Sequence, residues 1–221
     1  VKALNEKGIE YPTAVDYFVC PPEVQQVFGP KPISLRILIP VEDEEKWASQ
    51  YFRCYSRTRG LVCKGDGEKC IRLVDTKTGD LAWKSEATIT AMKEMTCQGR
   101  ECPDYKTKCK EIMNLQFLLP EVPGLGVWQI DTGSINSIRN SNSGAELIKR
   151  LYGRIALIPL LLTLEPQEVR IPDTNKKKTV HVLNLRTKDT LADLTRLALL
   201  PASEILALGE GEVLDAEMPV P

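Results

Sequence analysis

Apolar and polar residues alternate over short runs along most of the chain, and that period is the period of strands. ISLRILIPV (33–41), MNLQFLLPEV (113–122) and GVWQIDTG (126–133) are predicted strands, the last two split by the turn PEVPGLG. RIALIPLLLTLEPQEVRI (154–171) reads as a long strand region. TVHVLNLRT (179–187) pairs with it across PDTNKKK, a hairpin with a lysine tip. CIRLVDTKTGDLAWKS reads as two strands joined by a turn at TKTGD, and GLVCKGDGEKC as a glycine-rich turn between extended pieces. VDYFV (15–19) is a short apolar run, placed as an edge strand between the breakers YP and CPP.

Helical periodicity is rarer. DEEKWASQYFRCYSR opens with acidic residues that suit a helix start, then turns aromatic and strand-like. In 134–153 Ser134 is a predicted N-cap and Gly153 a predicted stop, with Ile135, Ile138, Leu147, Ile148 and Leu151 on the apolar face. Its middle, RNSNSG, is a poor helix former, so a loop followed by a shorter helix is expected there. DTLADLTRLALLP (189–201) carries a leucine stripe behind Asp189, and 201–221 lacks any basic residue. The expectation is an α+β fold: one strand-rich compact unit over 1–200, with cysteine-bearing loops at 63–70 and 97–109 inserted between strands, and an acidic flexible tail over 201–221.

Composition narrows the function classes. The 221 residues suit one large domain or two small ones, and 43% hydrophobic with 27% charged residues is ordinary for a globular protein. A formal net charge of -1 provides no global field toward DNA or an anionic membrane. The run IALIPLLLTL is too short to span a bilayer, and VKALNEKGIEYP has no signal-peptide core. A cytoplasmic location is expected.

Seven cysteines then change the picture: Cys20, Cys54, Cys63, Cys70, Cys97, Cys102 and Cys109. An odd count leaves one over in any fully paired disulfide framework. Cys20 and Cys54 lie in apolar or aromatic surroundings and read as buried small hydrophobes. The other five fall in two clusters, 63–70 and 97–109. Structural zinc takes four thiolate or imidazole ligands in a tetrahedron. Cys97, Cys102 and Cys109 supply three, and Cys63 or Cys70 the fourth. Neighbouring lysines and Arg100 lower thiol pKa and offset the charge of four thiolates. An iron–sulfur cluster and plain structural cysteines are the alternatives. A closed four-ligand shell leaves no open position for zinc catalysis.

No catalytic constellation stands out. His181 is the single histidine and sits in a strand-like run with no nucleophile elbow near it. GLVCKGDG is neither a Walker loop nor G-x-G-x-x-G. Asp66 with Asp75 or Asp80 is the weak offer for a hard cation, and DTGS (131–134) occurs once where a protease of that type needs two copies. A second expectation is a zinc-stabilised module that binds single- or double-stranded nucleic acid. Lys176, Lys177 and Lys178 at the hairpin tip and Lys106 and Lys108 among the cysteines would contact the backbone, with Trp83, Trp128 and Tyr105 to stack on bases.

The order of the pieces carries one more signal. VDYFVCPPEVQQVFGPKPISLRILIPVEDE is followed by CYSRTRGLVCKGDG, CQGRECPDYKTKCK, LQFLLPEVPGLGVWQIDTGSINSI and GRIALIPLLLTLEPQEV. Over about residues 10–185 this succession resembles the phage recombination directionality factor-like proteins, a group described as metal-binding. The resemblance implies that Cys63, Gly65, Asp66 and Gly67, with Cys97, Cys102 and Cys109, belong to the metal-site region, and that position 70 carries a small residue in relatives. It also implies a function without chemistry. Such factors bind a large serine integrase on its attachment-site DNA and reverse its preference from integration to excision. The expected cofactor is structural Zn2+, and the expected partner that integrase–DNA complex.

Overall fold

The computed structural model describes residues 2–4, 10–12, 14–56, 58–83, 89–124, 126–170 and 176–190. The chain divides into two units, Val1–Arg186 and Thr187–Pro221. The leucine stripe of 189–201 and the acidic tail lie outside the described residues, apart from 189–190.

The first unit is α+β and strand-rich. A short pair joins β1 (Lys2–Leu4) to β2 (Glu10–Pro12). Three strands form one sheet in the order β11-β10-β3: β3 is Ser34–Ile37, β10 Leu160–Arg170 and β11 Lys177–Thr187. Six form another, in the order β7-β6-β5-β4-β8-β9. Its members are β4 (Ala48–Ser56), β5 (Gly60–Gly65), β6 (Lys69–Asp75), β7 (Thr90–Thr96), β8 (Cys109–Leu118) and β9 (Val127–Thr132). Leu38 and Leu118 exchange backbone hydrogen bonds of 3.1 and 2.8 Å and stitch the two sheets together.

Among the described residues three α-helices accompany the sheets. α1 (Pro22–Phe28) starts with Pro22, whose fixed φ suits the first helical turn, and ends at Gly29 with φ 87°. α2 (Glu44–Trp47) is a single turn capped by the Asp43 carboxylate, which accepts from Glu45 N at 3.2 Å. It leads straight into β4, as the acidic start and aromatic continuation of that segment predict. α3 (Ile135–Tyr152) is capped by Ser134 and stopped by Gly153 in the left-handed conformation.

One core holds these parts together. Leu35 and Ile37 of β3, Leu160 and Leu162 of β10, Leu183 and Leu185 of β11, and Met113, Leu115 and Phe117 of β8 are all buried in it with Ile138, Ala145 and Ile148 of α3. A second, small cluster of Cys54, Val62 and Cys109 lies in the six-stranded sheet.

The structure departs from the sequence pattern in four places. Residues 15–19 form no strand. Phe18 is buried, and its N–H donates to Pro32 O at 2.8 Å, so the segment is a bend anchored by one aromatic side chain. β6 has its long partner in β7, whereas Leu81 contributes a single bridge to Val74. The interior of 134–153 is unbroken helix, with no loop at RNSNSG. Its buried face is Ser137, Ile138, Ser141, Ala145 and Ile148, while Ile135, Leu147 and Leu151 of the expected face are exposed.

Candidate metal centre

Strand order dictates where the cysteines go. β7 is four positions from β8 in the sheet, or ~19 Å at about 4.8 Å per strand. The connection 97–108 must therefore cross β6, β5 and β4 on one face. That crossing carries Cys97 and Cys102 over the cysteines of the strands beneath.

The register supplies the rest. Cys54 pairs with Cys63 of β5 on one side and with Cys109 of β8 on the other, and Cys63 pairs with Arg72 of β6. Residues directly opposite in antiparallel strands point to the same face. Arg72, Cys63, Cys54 and Cys109 thus form one row. The next row on that face runs Cys70, Gly65, Phe52, Glu111. The register slips between Cys54 and Tyr55, which leaves Val62 as an extra residue on β5 and seats it in the small cluster with Cys54 and Cys109.

The crossing loop is fixed to these rows at several points. Arg72 donates to Asp104 at 2.9 Å, and Lys108 reaches the other Asp104 oxygen at 2.9 Å. Arg100 pairs with Glu111 at 2.9 Å. Tyr105 meets Phe52 edge-on, with ring centroids 5.9 Å apart. Cys97 N–H donates to Glu68 O at 2.8 Å, which ties the loop start to the β5–β6 turn. That turn is itself held by Asp66, whose carboxylate accepts from Glu68 N and Lys69 N, both at 2.7 Å. These two backbone bonds hold the Asp66 carboxyl below its ordinary pKa. Asp66, the residue offered with Asp75 or Asp80 for a hard cation, thus serves the turn, and Asp75 likewise accepts from Lys77 N at 2.8 Å.

Between loop and sheet lies a cavity of ≈ 300 Å³ lined by six thiols: Cys54, Cys63, Cys70, Cys97, Cys102 and Cys109. A Cβ on Gly65 would stand 2.7 Å from Cys97 Sγ and 2.7 Å from Cys70 Cβ, so the missing side chain is what lets the Cys97 sulfur into the cavity. The Cys70 thiol donates to Thr96 O at 3.8 Å. All seven cysteines are free thiols. Burial, the largest cause in each, pushes Cys54 up to about 11 and Cys63 and Cys109 up to about 12. Neighbouring thiols add to this: Cys63 feels Cys70, and Cys109 feels Cys54, Cys102 and Cys97. Arg72 acts the other way on Cys54, Cys63 and Cys70. Among the described residues, no three His, Cys, Asp or Glu side chains are arranged to hold a metal ion as they stand.

The five cysteines expected as ligands are thus brought to one cavity, and Cys54 joins them. The assignment of Cys54 as a plain buried hydrophobe is incomplete: it is buried, and it is also the centre of the cysteine row. Cys20 lies apart and lines a different cavity of ≈ 430 Å³, whose wall also includes His181 and Asp131. The lysines of the nucleic-acid reading are not one patch. Lys106 and Lys108 sit in the crossing loop, with Lys108 bound to Asp104 and 5.9 Å from the centre of the Trp83 ring. Lys176, Lys177 and Lys178 are exposed at the start of β11 in the other sheet, and Lys177 pairs with Glu168 at 2.9 Å. Tyr105, Trp83 and Trp128 are half-buried.

Comparison with known proteins bears on this arrangement. The family model described as Gp3-like, recombination directionality factor-like, matches residues 1–188. The chain belongs to that family. The matched span contains every strand of both sheets and the whole cysteine cavity. No curated protein and no solved structure matches the chain. Among the described residues no helix is long and apolar enough to cross a membrane.

Proposed function

We propose that the chain is a non-enzymatic regulator of site-specific recombination, which binds a large serine integrase on its attachment-site DNA and turns it from integration to excision. The observation that carries this reading is the family match over residues 1–188. The physical task is a population shift. A factor that binds one synaptic state of the integrase 100-fold better than another moves the balance by about 2.7 kcal/mol. That requires a shaped, rigid surface and no reacting group.

The cysteine cavity fits a structural metal by its donor chemistry: six sulfurs, with the Gly65 opening admitting one of them. Cys97 and Cys102 of the loop, Cys109 of β8, and Cys63 or Cys70 are the residues that would hold zinc, and Cys54 backs them from the centre of the row. Bound there, zinc supplies a cross-link between loop and sheet and stabilises thiolates that burial otherwise keeps protonated. Arg72 and Lys108 position Asp104, and through it the loop, over the row.

The test is an in vitro recombination assay with the large serine integrase encoded in the same genome. Adding the chain should make the integrase recombine the two excision sites and suppress recombination of the two integration sites. An unchanged product distribution would contradict the reading.

A further inference from the structure

The face of the six-stranded sheet opposite the cysteines carries a row of another kind. Reading the register across β7, β6, β5, β4 and β8 gives Glu94, Ile71, Lys64, Arg53 and Lys110. Three cations thus stand side by side on adjacent strands, about 4.8 Å from one strand to the next. Like charges directly opposite one another destabilise a sheet.

Several cations elsewhere on the molecule have carboxylate partners. Arg36 pairs with Glu121, Arg100 with Glu111, Lys177 with Glu168 and Arg186 with Glu165. Among the described residues no carboxylate pairs with Lys64, Arg53 or Lys110. The acids that share their surroundings are engaged. Glu94 pairs with Lys69 at 3.8 Å, Asp66 caps the β5–β6 turn, and Asp131 accepts from Asn114 and from Gln129. Arg53 is held by the Asn114 side chain, and its Nε is buried without a hydrogen-bond partner.

This face is also apolar in part. Ile71 is 53% exposed, and Met92 on the edge strand is 60% exposed. A depression of ≈ 320 Å³ opens beside Tyr51, Lys64, Ile71 and Glu94. The Tyr51 ring is taken by the Lys64 ammonium, 4.0 Å from its centre, and by Arg53 at 5.9 Å.

We infer that this face docks an acidic, partly apolar segment of a protein partner, with carboxylates on Lys64, Arg53 and Lys110 and an apolar side chain against Ile71 and Met92. Acidic residues one helical turn apart have Cβ atoms about 5–6 Å from each other, close to the step between neighbouring strands. A nucleic-acid backbone fits the charges but not the rest. It offers nothing to Ile71 and Met92, and the Lys64 ammonium already lies over the Tyr51 ring on which a base would stack. The proposal deepens the regulator reading and rests on it: the segment belongs to the integrase, and the cysteine face stays free to brace the sheet from behind.

The experiment measures binding of the full chain to that integrase on its attachment-site duplex, and to the duplex alone, at near-physiological salt. Lys64→Glu with Lys110→Glu removes the row's charge and leaves the partly buried Arg53 in place. The charge-reversed chain should bind the integrase complex at least 10-fold more weakly, with k_on most affected and the loss shrinking as salt rises. Unchanged thermal unfolding shows that the fold survives; if it does not, Lys64→Ala with Lys110→Ala is used, with a loss of at least 3-fold expected. Affinity within 2-fold of the parent overturns the proposal and leaves the regulator reading standing. Binding of the parent to the duplex alone, lost in the variant, overturns it in favour of nucleic acid. A parent chain that binds no integrase sinks the regulator reading and the docking face with it.

Discussion

Gly65 and Cys54 show how single residues set up the centre. At Gly65 any side chain meets Cys97 Sγ and Cys70 Cβ at 2.7 Å, one of them part of the strand pair beneath. Gly65→Ala is expected to cost about 1–3 kcal/mol in denaturant unfolding, the range for forcing an extra carbon into a filled site. A change below 0.5 kcal/mol would mean that Cys97 does not need the opening. Among the cysteines, Cys102→Ser should lose bound metal and lower Tm by on the order of 10 °C, at roughly 2–4 °C per kcal/mol for a chain of this length. Cys20→Ser, in the other cavity, should do neither. Metal content and a melting curve for the two variants separate the cases. The sequence spacing already pointed to Cys63, Cys70, Cys97, Cys102 and Cys109. It missed Cys54 because its neighbours are aromatic, and because the pairings to Cys63 and Cys109 exist only once strand partners are known. The same holds for Gly65, whose role depends on a sulfur 32 residues away in the chain.

At the scale of elements, α3 is the clearest divergence between pattern and structure. Its buried stripe sets Ser137, Ser141 and Ala145 between Ile138 and Ile148, with Gly144 beside them, so hydrophobic periodicity understates the contact. The small side chains let the helix come close to β11. A Cβ on Gly144 would stand 2.5 Å from Leu185 O, and Ser137 Oγ accepts from the buried Leu183 N–H at 3.1 Å. Two measurements follow. Gly144→Ala raises helix propensity by ~1 kcal/mol. Because of the close approach it should instead destabilise by about 1–3 kcal/mol; stabilisation on unfolding would show that the helix has room to move. Ser137→Ala leaves Leu183 N–H without its acceptor and should cost about 1–3 kcal/mol, while Ser143→Ala on the exposed side should be near neutral. The strands were more legible. β3, β4, β8, β9 and β11 follow alternation and turn residues, whereas β7, an exposed edge of TAMKEMT, has too little apolar contrast to announce itself.

For the whole molecule, what matters is topology. The sheet order places β7 four positions from β8, and no local pattern contains that fact. Once it holds, the connection must cross the sheet, and the two cysteine clusters that looked separate become the floor and roof of one cavity. The face opposite carries the basic row Lys64, Arg53 and Lys110 although the net charge is -1, a local feature that the overall charge hides. α+β architecture and a cysteine centre were readable from the sequence; the division into two sheets, the crossing and the basic row were not. Family membership supplies the biological setting, and the geometry supplies a mechanical one, in which the loop clamps the sheet from one side. That clamp joins the metal centre to the fold. Its direct measurement is the metal content of the full chain purified without added metal, combined with X-ray absorption at the metal edge. About one zinc per chain is expected, with sulfur ligands alone at ~2.3 Å. A chain free of metal, an iron centre, or a shell containing nitrogen or oxygen would contradict it.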